Sequence, residues 1–174
     1  MQLKNGKILH IRRAEKRDAQ EILDYLNTIG GETDNLTFGP GELQLTLEQE
    51  ELYIENTNSA PTSVCLVGVA DDKIVCVGGL AGESKPRLMH QATLGITVLK
   101  EFWGLGVGSH MMDALIQFAK DNELIEIVHL SVRADNLRAI ALYERLGFRE
   151  IGRYPKFKKI GDVYYDQILM NLYI

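Results

Sequence analysis

Leu9 and Ile11 alternate with His10 and Arg12, a period of two that predicts a first strand over about 7–13. From Asp18 the period lengthens. Ile22, Leu26 and Ile29 recur at helical spacing behind Asp18-x-x-Glu21, a capping-box pattern, and Gly30-Gly31 marks the stop. Thr46-x-x-Gln49 opens a second predicted helix that runs to about Asn56. Between them lies 32–45, a Gly- and acid-rich loop whose length in a compact domain signals a functional or mobile segment. Ser63–Ala70 and Lys73–Ala81 then read as a hairpin turning at Asp71-Asp72.

A longer strand falls within 87–100, with Leu94, Ile96 and Val98 on one face. Residues 104–120 form a Gly-rich turn that feeds a helix with the apolar stripe Val107, Met111, Leu115 and Phe118. Another strand is predicted over 125–133. Asn136 caps a helix that turns Ala139, Leu142, Tyr143 and Leu146 inward and ends at Gly147. Segments 148–158 and 162–173 make a last hairpin around Ile160-Gly161. The order is β-α-α-β-β-β-α-β-α-β-β. Its 94–132 stretch is one βαβ unit, which demands parallel strands and a right-handed crossover. The predicted fold class is α/β: a single domain over 1–174 with a mixed, mostly antiparallel sheet of about seven strands.

Composition narrows the options. The chain has 174 residues, 45% hydrophobic and 25% charged, which suits one globular domain. Nineteen basic against 24 acidic residues leave a net charge of −5, so no nucleic-acid partner is expected. The longest apolar runs, 64–70 and 74–82, fall far short of the ~20 residues a membrane span needs. The opening Met1–Lys7 has no apolar run of the secretion type, so no membrane partner and a cytoplasmic location are expected. Cys65 and Cys76 sit on the two arms of the first hairpin; if residue 67 pairs with 76 they are diagonal neighbours ~7–8 Å apart, poorly placed for a bridge. Both are expected as small core residues of a reducing compartment. His10, His90, His110 and His129 have no metal-ligand spacing, and no metal is expected. Lys156-Phe157-Lys158-Lys159 is expected to be a solvated face near the last turn.

Two motifs carry chemistry. Trp103-Gly104-Leu105-Gly106-Val107-Gly108-Ser109 joins a strand to an amphipathic helix, and the first amides of such a helix lack intrahelical partners. With the macrodipole they form an anion site suited to a diphosphate; the plain alternative is a tight strand-to-helix turn. The spacing is neither that of the dinucleotide fingerprint nor that of a Walker loop, which needs Gly-Lys-Ser/Thr. The second motif is Asn136-x-x-Ala139-x-x-x-Tyr143-x-x-x-Gly147-Phe148, opening at the carboxyl end of the next parallel strand. Taken alone, Tyr143 reads first as a core tyrosine with its hydroxyl satisfied locally. Both motifs fall at carboxyl ends of adjacent parallel strands, where open α/β sheets bind ligands.

In this order and about 30 residues apart, the two motifs resemble those of the GNAT superfamily of N-acetyltransferases, in the branch with ribosomal-protein N-terminal acetyltransferases. The element order matches along essentially the whole chain. The resemblance implies acetyl-CoA as cosubstrate, no metal, and transfer of acetyl directly to a primary amine, either a protein N-terminus or a small molecule, in a ternary complex. It implies that the parallel pair splays at the cofactor site. Ile96, Thr97 and Val98 would pair with the pantetheine arm, and the amides of Gly104, Leu105, Gly106, Val107, Gly108 and Ser109 would hold the pyrophosphate. Asn136 would bond pantetheine or a water, Arg138 would reach a phosphate or else stand as a solvated surface arginine, and Tyr143 would protonate the departing thiolate. Trp103 stands where the family pattern has Gln or Arg, so one side-chain donor is missing. Thr93 stands where some members carry a glutamate, which leaves the base unassigned. Glu32, Asp34, Phe38 and His90 are the candidates for the amine side, with a solvated loop as the alternative for the carboxylates. A non-catalytic acyl-CoA-binding regulatory module is the competing function, and a homodimer is compatible with either.

Overall fold

In the computed structural model, which describes residues 1–174, the expected elements occur in the expected order. They are β1 (His10–Arg13), α1 (Ala19–Gly30), α2 (Leu47–Ser59), β2 (Val64–Ala70), β3 (Lys73–Gly82) and β4 (Gln91–Val98). There follow α3 (Val107–Lys120), β5 (Ile127–Arg133), α4 (Leu137–Arg145), β6 (Arg149–Ile160) and β7 (Val163–Tyr173). The strands form one sheet of seven in the order β1-β2-β3-β4-β5-β7-β6, antiparallel except for β4 and β5. No helix is long and apolar enough to cross a membrane.

The sheet separates two apolar clusters. The larger lies under α3, around Val107, Met111, Met112 and Leu115, all fully buried, and takes in Tyr143 and Phe148. The smaller lies on the other face beneath α1 and α2, around Ile22, Tyr25, Ile29 and Ile54. Those two helices pack on β2 and β3. The same face of β4, β5 and β7 therefore has no helix over it, and Thr93, Gly95, Ser131 and Leu169 are exposed there.

One feature of the ladder positions everything else. The parallel pairing consists of Gln91↔Ile127, Ala92↔Val128 and Thr93↔His129, yet β4 continues to Val98 and β5 to Arg133. Beyond the Thr93–His129 rung the strands diverge. The donation from Leu99 N–H to Val75 C=O (3.0 Å) sets the phase of the β3–β4 ladder. Polar groups of odd-numbered β4 residues thus point at β3, and those of Ile96 and Val98 point into the open wedge.

Two local expectations are corrected. Asp18 does not cap α1. Its carboxylate takes a bidentate bond from the Arg12 guanidinium (2.6 and 2.8 Å) and the Glu15 amide (2.7 Å), serving a 3-10 turn at Lys16–Asp18. Glu21 instead accepts from the Ile74 amide (2.6 Å). The first hairpin also pairs differently: Cys76 faces Gly68 and Cys65 faces Gly79, with an irregularity between Gly68 and Val69. A one-residue slip in register exchanges the faces of the sheet. Cys65 accordingly belongs to the smaller cluster and Cys76 to the larger, and the two free thiols are separated by the sheet. The Thr46–Gln49 capping box forms as expected, through bonds of 2.8 and 3.2 Å.

Candidate active site

A cavity of about 490 Å³ opens where β4 and β5 part, within the usual range for a small-molecule site. Its floor is Ile96, Thr97 and Val98 of β4. Thr97 keeps its side chain occupied: Oγ1 accepts from Tyr25 (2.9 Å) and donates to the Val77 carbonyl (3.3 Å). β4 therefore offers the cavity its backbone, specifically the unpaired amides of Ile96 and Val98.

Gly104, Gly106, Gly108 and Ser109 form one wall. Gly104 and Gly106 hold φ of +83° and +102°, a backbone region costing roughly 1–2 kcal/mol for residues with a Cβ. That bend turns the chain into α3, whose first internal bond runs from the His110 amide to the Gly106 carbonyl (3.1 Å). The amides of Gly106 to Ser109 precede that bond and lack a helical partner. The Val107 side chain is fully buried in the core and does not line the cavity. Neither does that of Leu105, whose carbonyl accepts from the Lys4 amide (3.2 Å).

Helix α4 forms the adjoining wall. Asn136 lines the cavity while its Oδ1 accepts from the Ala139 amide (3.2 Å), so its own Nδ2 is the group left for a ligand. Tyr143 is buried, its ring tilted against Phe148 at 5.9 Å, and its hydroxyl has no partner in the protein. Burial pushes its pKa up to about 12, so the phenol is neutral at physiological pH. Trp103 donates Nε1–H to the Val98 carbonyl (2.7 Å) and carries the Arg138 guanidinium over its ring at 5.7 Å.

Two lining cations were missed by sequence reasoning, Lys4 and Arg145. Arg145 donates to Ser109 Oγ (3.3 Å), tying α4 to the Gly-rich turn. With Arg138 they make three cations around a cavity that no carboxylate lines, in a chain of net charge −5. The spacing of Arg138, Ala141, Leu142 and Arg145 on α4 is a helical face that the sequence displays. Lys4 comes from a distant segment with no local signal.

The amine-side candidates fall elsewhere. His90 precedes β4, some 25 Å from Val98 at ~3.3 Å per residue, and its carbonyl takes the Glu126 and Ile127 amides. Glu32 accepts from the Lys100 amide (2.7 Å) and so anchors the loop. Asp34 contributes its carbonyl, which accepts from Arg133 (3.1 Å) and Lys158. Lys158 also donates to the Leu36 carbonyl (2.8 Å), so it clasps the loop instead of standing in solvent. Phe38 packs with the smaller cluster. The loop reaches the cavity through Thr33, Asn35 and Leu36, between these anchors.

A sequence model described as the Acetyltransferase (GNAT) family matches residues 32–148, which contain the Gly-rich turn, α4 and the whole splayed pair. The chain belongs to the GNAT acetyltransferase family. It is 26% identical over 167 residues to the L-amino acid N-acetyltransferase AaaT of Escherichia coli (strain K12), covering 92% of this chain and 94% of AaaT. The acetyltransferase of GNAT family from Streptococcus pneumoniae superposes with a TM-score of 0.93 at 27% identity, over 96% of this chain and 100% of that one. The yncA protein of Salmonella typhimurium, solved with its cofactor acetyl-CoA, shares the GNAT fold at a TM-score of 0.83 and 17% identity, over 95% and 94% of the chains.

Proposed function

We propose that this GNAT protein transfers the acetyl group of acetyl-CoA directly to a primary amine, an α-amine in preference to a lysine side chain. One observation carries the reading: a polyanion-shaped charge pattern and a neutral, unpartnered phenol share a single wedge between two parallel strands. The residues fit the coenzyme. Free amides at Gly106–Ser109 suit a diphosphate, Lys4, Arg138 and Arg145 suit further phosphate charge, and the Ile96 and Val98 amides suit an extended amide-bearing arm. The bound thioester supplies an acyl carbon open to attack by an amine.

Tyr143 then has a defined task. A thiolate leaving group of pKa near 8.5 lies about 3.5 units below a phenol at about 12, so full proton transfer between them costs about 5 kcal/mol. Tyr143 therefore acts as a hydrogen-bond donor to the developing negative charge, not as a proton reservoir. The preference for an α-amine follows from similar arithmetic. Deprotonation at pH 7 costs about 1 kcal/mol for an α-amine and about 4.6 for a lysine. AaaT, named for L-amino acids and similar over nearly the full chain, supports the same class.

The test is released thiol from acetyl-CoA in the presence of L-amino acids, their amides and short peptides. Turnover confined to α-amines is expected. Binding of acetyl-CoA without turnover on any acceptor would instead support a regulatory acyl-CoA-binding module.

A further inference from the structure

The last closed rung below the wedge carries a polar row on the uncovered face of the sheet. Thr93 of β4 is exposed, and its Oγ1 lies 2.6 Å from Nε2 of His129, its direct partner on β5. His129 in turn faces Asn171 of β7 in the antiparallel register. Residues so paired have Cβ atoms about 4.5–5.5 Å apart. Asn171 Oδ1 is buried and has no hydrogen-bond partner, an unusual state for a buried acceptor. Just above Thr93 on the same face, Gly95 is exposed, and a Cβ added there would meet nothing within 4 Å. Thr97, the next residue on that face, lines the cavity. Gly95 and Thr93 thus continue, as an exposed strip of one sheet face, from Thr97 at the cavity floor.

We infer that this strip seats the acceptor amine and that Thr93 and His129 form a relay that removes its proton. The inference rests on the acetyltransferase reading and supplies the base which that reading lacks. The bound ammonium gives one proton to Thr93 Oγ1, which frees its lone pair; as nitrogen then bonds to the acyl carbon and the carbon–sulfur bond breaks, its second proton leaves on the departing sulfur. The Thr93 proton moves to His129 Nε2, and the imidazolium later releases it to water. The relay uses the tautomer protonated at Nδ1, in which Nε2 accepts from Thr93; Asn171 Oδ1 makes no bond to that ring.

Burial holds the His129 pKa below its ordinary value, which keeps the imidazole neutral at pH 7. The charged groups on this face are Glu83, at the end of β3, which opposes that shift, Arg149, opposite Asn171 on β6, and Arg133, ion-paired with Asp135. The neutral imidazole with the bound ammonium is the active pair, so kcat/KM is level between the lowered pKa of His129 and the pKa of the amine.

The experiment follows thiol release with L-amino acids and L-amino acid amides across pH in wild type, His129→Gln, Thr93→Val and Thr93→Ser. Thr93 is exposed and valine matches its shape, so Thr93→Val removes the hydroxyl without repacking, and Thr93→Ser restores it. His129→Gln and Thr93→Val are expected to lower kcat/KM at pH 7 by about 10²-fold or more. Their rates should then climb tenfold per pH unit towards the pKa of the amine itself, while Thr93→Ser stays near wild type. Coenzyme A affinity by calorimetry should stay unchanged throughout. An active wild type whose pH profile survives both substitutions, or falls without changing shape, overturns the relay alone. A wild type inactive on the whole series overturns the transferase reading and the relay with it.

Discussion

At the scale of single residues, Tyr143 is the sharpest test of the transfer chemistry. A hydrogen bond to a charged group is worth about 1.5–3 kcal/mol, so Tyr143→Phe should lower kcat by about 10- to 150-fold with coenzyme A affinity unchanged. An unaltered kcat would remove the phenol from the reaction. Activity should not fall through Tyr143 ionisation until pH approaches about 12. Trp103 shows how a departure from the family pattern is accommodated. It offers the diphosphate no cation, but it seals the Val98 carbonyl and supports Arg138, which brings a cation to the same wall. Tyr143 and Asn136 could be picked out in the sequence because a helix fixes their spacing. Thr33, Asn35 and Lys4 could not, because loop and terminal segments reach the cavity by tertiary routes that no periodicity records.

At the scale of elements, the junction of β1 and α1 depends on one ion pair. Asp18 is 5% exposed, and the Arg12 guanidinium holds its carboxyl below the usual carboxylate range. A depressed folded-state pKa contributes stability that is present above the unfolded value near 3.9 and is lost as pH falls through the folded value. Asp18→Asn should cost about 2–3 kcal/mol in urea unfolding at pH 7 and flatten the acid limb of the stability profile. Equal stability of the variant and wild type at pH 7 would show that the pair contributes nothing. The same junction explains an error of sequence reading. Asp18-x-x-Glu21 and Thr46-x-x-Gln49 look alike as strings, but Arg12, six residues upstream on β1, claims the Asp18 carboxylate. Nothing competes for Thr46, so its box forms. The cysteine faces were misread for a comparable reason: the irregularity at Gly68/Val69 shifts the register by one, and no turn residue announces it.

At the scale of the molecule, function follows from the end of a ladder. Alternation and helical periodicity were enough to give the element order and the parallel pair, since both depend on local spacing and connection length. They do not give the distance of each flanking residue along β4, so they do not separate His90, before the start of the strand, from the cavity at its far end. The divergence above Thr93–His129 exposes strand amides on one side and the Gly-rich turn on the other, and on the proposed reading both ends of a long thioester coenzyme would meet these unpaired donors. A crystal structure with coenzyme A bound reads this claim directly. The account predicts diphosphate oxygens within about 3 Å of the Gly106–Ser109 amides and the sulfur within hydrogen-bond reach of the Tyr143 hydroxyl. A diphosphate seated away from that turn, or a sulfur remote from Tyr143, would contradict it.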